Sequence, residues 1–275
     1  MEKLMRLYTV LFVLCAGLEC LIFNPTFASA VEPVQSAIDN WNLPGYLAPN
    51  TLPDSLALLP PPPKKGSQAF ALDEEINRES LSQQGSPRWV LAAKDADLNF
   101  PQATDSFICA LGASITKQET PHLYILLMRT LVDASSATSK AKKFYGRPRP
   151  FMVNKKATCS PNAEKDLMKN GSYPSGHTTI GWAWALILSE LAPERADELL
   201  ARGRAFGESR LVCNVHWQSD VAEGRVMGAA TVARLHADPG FRADLEAARA
   251  ELGAVRAKGL KPHLDCSAEA AAMGK

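Results

Sequence analysis

From residue 70 onward the chain offers almost no run of four residues in which apolar and polar side chains alternate. A strand with one face in a core needs that period of two, so a sheet is hard to build from this sequence. Helical spacing dominates instead. Pro121 opens a helix after a capping Thr120, with Leu123, Leu126, Leu127, Leu131 and Ala134 on one face and Lys142 near its end, before Gly146 and Pro148 terminate it. Residues 178–192 are strongly apolar from Ile180 to Leu191 and stop at Pro193, the pattern of a buried helix. Residues 194–212 and 217–236 read as two more helices, and 241–256 as an exposed, charged last one. The sequence predicts an all-α fold, a compact helical bundle.

The first thirty residues stand apart from this domain. Lys3 and Arg6 precede an apolar run from Leu7 to Leu18, and Ala28-Ser29-Ala30 closes the stretch, which reads as a signal peptide over 1–30. Glu19 interrupts the span that an uncleaved membrane anchor would need. Residues 31–65 are rich in proline and end in Pro60-Pro61-Pro62-Pro63, so they are expected as an extended arm over the domain. Trp41, Leu43, Tyr46, Leu52, Leu56 and Leu58 would anchor it. Residues 66–256 form the helical domain and 257–275 a C-terminal tail. No apolar stretch after residue 30 is long enough for a membrane span, so the expectation is a soluble periplasmic or secreted protein. Export leaves Cys109, Cys159, Cys213 and Cys266 in an oxidising compartment, where two disulfides with three alternative pairings are expected.

Lysine and arginine number 30 against 29 acidic residues, which argues against binding a nucleic-acid polymer by bulk charge. Without a CxxC pair, a thiolate zinc site is not expected. The useful charge is local. Six residues separate Lys142 from Arg149, which is followed by Pro150; Lys140 and Arg147-Pro148 repeat the same spacing. A guanidinium grips two phosphate oxygens in a planar fork, and lysine adds a point charge. Pro174-Ser175-Gly176-His177 leads into the apolar helix, whose first amides attract an anion. Gly176 permits close backbone approach, and Ser175 can donate its hydroxyl. Ser209-Arg210 precedes His216 and Asp220, which on a helix would share a face. A carboxylate holding one ring N–H leaves the other nitrogen free to attack. His122, His236 and His263 read as structural or solvated.

The combined string, Lys142-x6-Arg149-Pro150, Pro174-Ser175-Gly176-His177 and Ser209-Arg210-x5-His216-x3-Asp220, resembles the signature of the type 2 phosphatidic acid phosphatase superfamily, which includes vanadium haloperoxidases. The surrounding residues, from about 44 to 245, are similar to the class A bacterial nonspecific acid phosphatases. The resemblance selects Arg149, because Phe151 follows Pro150 as in that family. It implies that Lys142, Arg149 and Arg210 bind phosphate, with Ser175 and Gly176 assisting. His216 would form a phosphohistidine, oriented by Asp220, while His177 protonates the leaving alcohol. It also implies a Cys159–Cys213 disulfide, leaving Cys109 with Cys266. The expected partners are small phosphomonoesters and inorganic phosphate, with no metal or other cofactor. A vanadate-dependent haloperoxidase and a non-catalytic phosphate binder are the alternatives. The preferred ester, transfer of phosphate to other alcohols, and a homo-oligomeric state stay open at this level.

Overall fold

The computed structural model describes residues 43–274, and among these there is no strand. Residues 1–30, expected as a signal peptide, and residues 31–42, with Trp41, lie outside the described residues. In chain order the helices are α1 (Ser55–Leu58), α2 (Gln68–Leu81), α3 (Pro87–Lys94), α4 (Gln102–Leu111), α5 (Pro121–Ala137), α6 (Ser139–Tyr145) and α7 (Pro150–Asn154). They continue with α8 (Glu164–Leu167), α9 (Gly176–Leu191), α10 (Ala196–Val212), α11 (Gln218–Leu235), α12 (Pro239–Ala257) and α13 (Cys266–Ala272).

The apolar helix is the hub. α9 packs most extensively against α10 and α11, and α5 closes another side. Trp184 of α9 is fully buried, stands edge-on to Phe100 and Phe107, and donates its indole N–H to the Leu127 carbonyl of α5 (3.1 Å). Burial of such a ring is worth about 1.5–3 kcal/mol before packing is counted. A hub surrounded by partners needs no polar face, which is why its sequence lacks one.

Three sequence expectations need correction. The segment from Pro121 is two helices, because it breaks at Thr138, whose hydroxyl turns back to the Ser135 carbonyl (2.8 Å). Thr120 does not cap α5 with its side chain; its hydroxyl is bonded to the Thr116 backbone. Glu251 of α12 takes over, its carboxylate accepting from the His122 and Leu123 amides (2.9 and 3.1 Å) and contacting the His122 ring. α12 itself is not an exposed helix. Phe241, Leu245, Ala248, Leu252 and Val255 form a continuous stripe buried against α5, with the charges on the opposite face.

The proline-rich segment is held at separate points. The Tyr46 and Leu47 amides donate to the Asp133 carboxylate (2.8 and 3.1 Å), and the Pro60 carbonyl accepts from the Tyr173 hydroxyl (2.6 Å). Its apolar anchors differ from expectation: Leu56 and Leu58 are exposed on the short α1, while Leu59 is turned inward. Both disulfides form, Cys109–Cys266 and Cys159–Cys213. No helix among the described residues is long and apolar enough to cross a membrane.

Candidate active site

The Lys142 and Arg149 motif is shaped by its glycine and prolines. Gly146 ends α6 in the left-handed region (φ +52°), where a side chain would strain the backbone. Arg149 follows in extended backbone, with Pro150 as the first residue of α7. Every part of its guanidinium is held: Nε donates to the Leu167 carbonyl (2.9 Å) and Nη2 to Asn170 Oδ1 (2.7 Å). Nη1 donates to the Val215 carbonyl (3.1 Å) and to His216 Nε2 (3.0 Å). Lys142 Nζ donates to the Gly171 carbonyl (3.0 Å). The alternative register resolves on position: Lys140 is exposed and paired with Asp54, and Arg147 points behind the site.

The Ser-Gly-His turn starts α9. Ser175 Oγ accepts from the Thr178 amide (3.3 Å) and the Thr178 hydroxyl (2.9 Å), so the hydroxyl is engaged as the helix cap. The amides of Gly176 and His177, in the first turn, have no intrahelical acceptor. Gly224 of α11 allows this turn to sit low, since a Cβ there would lie 2.8 Å from the Ser175 carbonyl oxygen. His177 Nε2 donates to the Ala96 carbonyl (3.1 Å), which leaves Nδ1 as the second ring nitrogen.

His216 and Asp220 do not share a helix face. His216 precedes α11, and Asp220 sits in its first turn with the side chain turned back over the helix start. One carboxylate oxygen of Asp220, Oδ2, accepts from the Trp217 amide (2.9 Å) and lies 3.2 Å from His216 Nδ1. The carboxylate therefore caps the helix and fixes the imidazole together. Because a guanidinium can only donate, Arg149 makes Nε2 of His216 an acceptor, and the ring proton belongs on Nδ1 towards Asp220. The turn itself is braced by Cys213 in its disulfide and by Asn214 (φ +59°), whose side chain bonds Asn77 and Asn154.

Behind Asp220 lies a network absent from the sequence reading. Arg147 donates to Asp220 Oδ1 (2.6 Å), Ser219 Oγ (2.8 Å) and Asp73 Oδ2 (2.7 Å). Asp73, from α2, also accepts from the Ser219 amide (2.8 Å). Only Arg147 carried a hint, as the second copy of the lysine–arginine spacing.

Lys142, Arg149, Gly176, His177 and His216 line one cavity of about 730 Å³. Ser175, Arg210 and Asp220 are buried behind its wall. Among the described residues, Lys142, Arg149 and Arg210 form no ion pair with any carboxylate, although Arg149 and Arg210 are almost fully buried. Arg210 Nε has no hydrogen-bond partner. Buried cations without a counter-ion are costly. Electrostatics agree: burial first, then Arg149, pulls Lys142 down to about 7. Burial and Arg210 hold His177 well below the ordinary histidine range, and burial with Arg149 does the same for His216. Burial raises Asp220, with Arg147 opposing. Among the described residues no group of three or more His, Cys, Asp or Glu could hold a metal ion.

Residues 120–243 match the family model described as the PAP2 superfamily. A non-specific acid phosphatase of Providencia stuartii is 41% identical over 248 residues, covering 90% of this chain and 98% of that protein. One of Salmonella typhimurium is 41% identical over 236 residues, covering 86% and 90%. An acid phosphatase of Zymomonas mobilis is 42% identical over 209 residues, covering 76% and 79%.

Proposed function

The chain belongs to the PAP2 superfamily, and from that premise we propose a periplasmic or secreted acid phosphatase that hydrolyses a broad range of phosphate monoesters through a phosphohistidine, without a metal ion. The observation that carries this reading is a pair of cations, Lys142 and Arg149, sharing one cavity with His177 and His216, with Arg210 buried behind its wall and none of the three paired with a carboxylate. Phosphoryl transfer asks chiefly for alignment and charge stabilisation, and three fixed cations supply the charge.

The substrate phosphoryl group sits between these cations and the Gly176 and His177 amides. Its oxygens take over the Arg149 N–H that His216 Nε2 accepts in the structure, freeing that lone pair. Nε2 attacks phosphorus, the P–O ester bond breaks, and the leaving alkoxide takes a proton from His177. Asp220 stabilises the charge that develops on the His216 ring, as a carboxylate partner does for other histidines in catalysis. Water then gives a proton to His177 and attacks phosphorus, the P–N bond breaks, and phosphate is released.

Acid pH favours the first step for a reason visible in the site. His177 is held neutral by burial and Arg210, and Lys142 loses its charge near pH 7. A phosphate anion reverses both influences, so substrate binding and proton uptake are coupled. The proline-rich arm over 31–65, the signal at 1–30 and the four cysteines fit export, which fractionation of expressing cells tests. The catalytic reading is tested by turnover of p-nitrophenyl phosphate in excess chelator: sustained hydrolysis at acid pH supports it. Chelator-sensitive turnover refutes the metal-free part, and absence of turnover refutes catalysis. Peroxide-dependent bromination with vanadate, in place of hydrolysis, would assign the cavity to halide oxidation.

A further inference from the structure

Asp95, at the end of α3, is buried and touches neither the cavity of the phosphate site nor any residue of the three motifs except Ser209. Its carboxylate accepts both terminal nitrogens of Arg202, one of them through a short contact, and the Ser209 hydroxyl (2.5 Å). Arg88 reaches the same hydroxyl (2.8 Å). The next residue, Ala96, provides the carbonyl that accepts from His177 Nε2, and Ser209 is followed by Arg210. One buried carboxylate thus fixes the backbone behind both. Glu269 of α13 stands 3.4 Å from Nε of Arg202, and the Cys109–Cys266 disulfide ties the first residue of α13 to α4. α13 packs on α3 beside a second cavity of about 790 Å³ lined by α3, α4 and α13, and the disulfide and Glu269 add its ties to α4 and Arg202.

We propose that Asp95 is a positioning residue for His177, and that the Cys109–Cys266 strap, through Glu269 and Arg202, keeps it in place. This rests on His177 acting as the acid for the leaving alcohol. Loss of the strap lets α13 and Glu269 withdraw, Arg202 loses one of its two carboxylates, and the Asp95–Ala96 backbone no longer fixes the imidazole. The defect falls on proton delivery, because Lys142 and Arg149 are held by Gly171, Leu167 and Asn170, away from Asp95, and keep the phosphate bound.

Leaving-group dependence separates this from general destabilisation. A nitrophenolate departs with little help, whereas an alkoxide needs its proton. Asp95→Asn, Glu269→Ala and the double variant Cys109→Ser with Cys266→Ser are compared on p-nitrophenyl phosphate and glycerol phosphate, using active-site titration to count folded enzyme. The expected result is a loss in kcat/KM, which excludes the shared water step, of roughly tenfold on glycerol phosphate and below about threefold on the nitrophenyl ester, with the inhibition constant of inorganic phosphate unchanged. If Asp95→Asn does not fold, the other two variants carry the comparison. Parallel losses on both esters, or no loss on either, overturn the proposal. His177→Ala is the control. Its failure to lose the alkyl ester selectively refutes His177 as the acid, while a selective loss there and none in the other variants refutes only the role of Asp95 and its strap.

Discussion

Arg147 joins two carboxylates that are at most 2% exposed, Asp73 and Asp220, and is itself almost buried. Replacing it by glutamine leaves both without their cation. Removing one partner of a buried pair costs about 3–5 kcal/mol, because the remaining charge stays desolvated. For a protein of this size each kcal/mol moves Tm by about 2–4 °C, so a fall of roughly 6–20 °C is expected by calorimetry or circular dichroism. The sign with pH follows from Asp220. Burial raises its pKa and Arg147 opposes this, so the variant raises it further. A carboxyl whose folded pKa exceeds its unfolded value holds its proton longer in the folded state, so stability is lost as pH rises through that window. The deficit of Arg147→Gln should therefore be smallest near pH 4 and grow towards neutrality. Protonated Asp220 no longer stabilises a charged His216, and the acid limb of kcat moves to higher pH. Adding Asp73→Asn should recover part of the lost stability, since one orphaned charge is removed. A Tm within about 2 °C of wild type, with the acid limb unmoved, would refute the claim that Arg147 neutralises this buried pair.

Inhibition by inorganic phosphate should weaken as pH rises through about 7, where Lys142 loses its proton, and Lys142→Arg should flatten that dependence; a pH-independent inhibition constant in wild type would contradict it. Arg149→Lys cannot reproduce the fork that holds Leu167 and Asn170 while facing His216, so kcat/KM should fall by at least about a hundredfold; retention within tenfold would show that only point charge matters. Gly224→Ala places a methyl group 2.8 Å from the Ser175 carbonyl and should cost about 1–3 kcal/mol together with most of the activity, read by Tm and p-nitrophenyl phosphate turnover. Unchanged values would mean that the turn tolerates displacement.

The helices that surround the hub were legible because their signals are local: Pro121 starts a helix, Pro193 follows the end of one, and the apolar run from Ile180 marks the buried one. α12 was misread because its many charges hide a clean stripe at Phe241, Leu245, Ala248, Leu252 and Val255. Spacing, more than charge content, decides which face is buried. The predicted site residues converge, but their supports were invisible. Asp73 meets Arg147 across 74 positions, and Glu251 caps α5 from 128 or more residues away. Such ion pairs leave no period in the sequence, since any exposed acid looks the same until the chain has folded. The His216 and Asp220 pair shows a subtler limit. A separation of four predicts proximity on a helix, yet here the contact arises because a first-turn carboxylate turns back over its own N-terminus.

The central claim concerns one bond, from phosphorus to Nε2 of His216. Acid-labile, alkali-stable label should appear on the wild-type protein within the first turnover when 32P-labelled substrate is quenched rapidly. Peptide mapping should place it at His216, and His216→Ala should take up none. Label on another residue, full labelling of His216→Ala, or hydrolysis by wild type with no trapped phosphoenzyme under burst conditions would contradict the account.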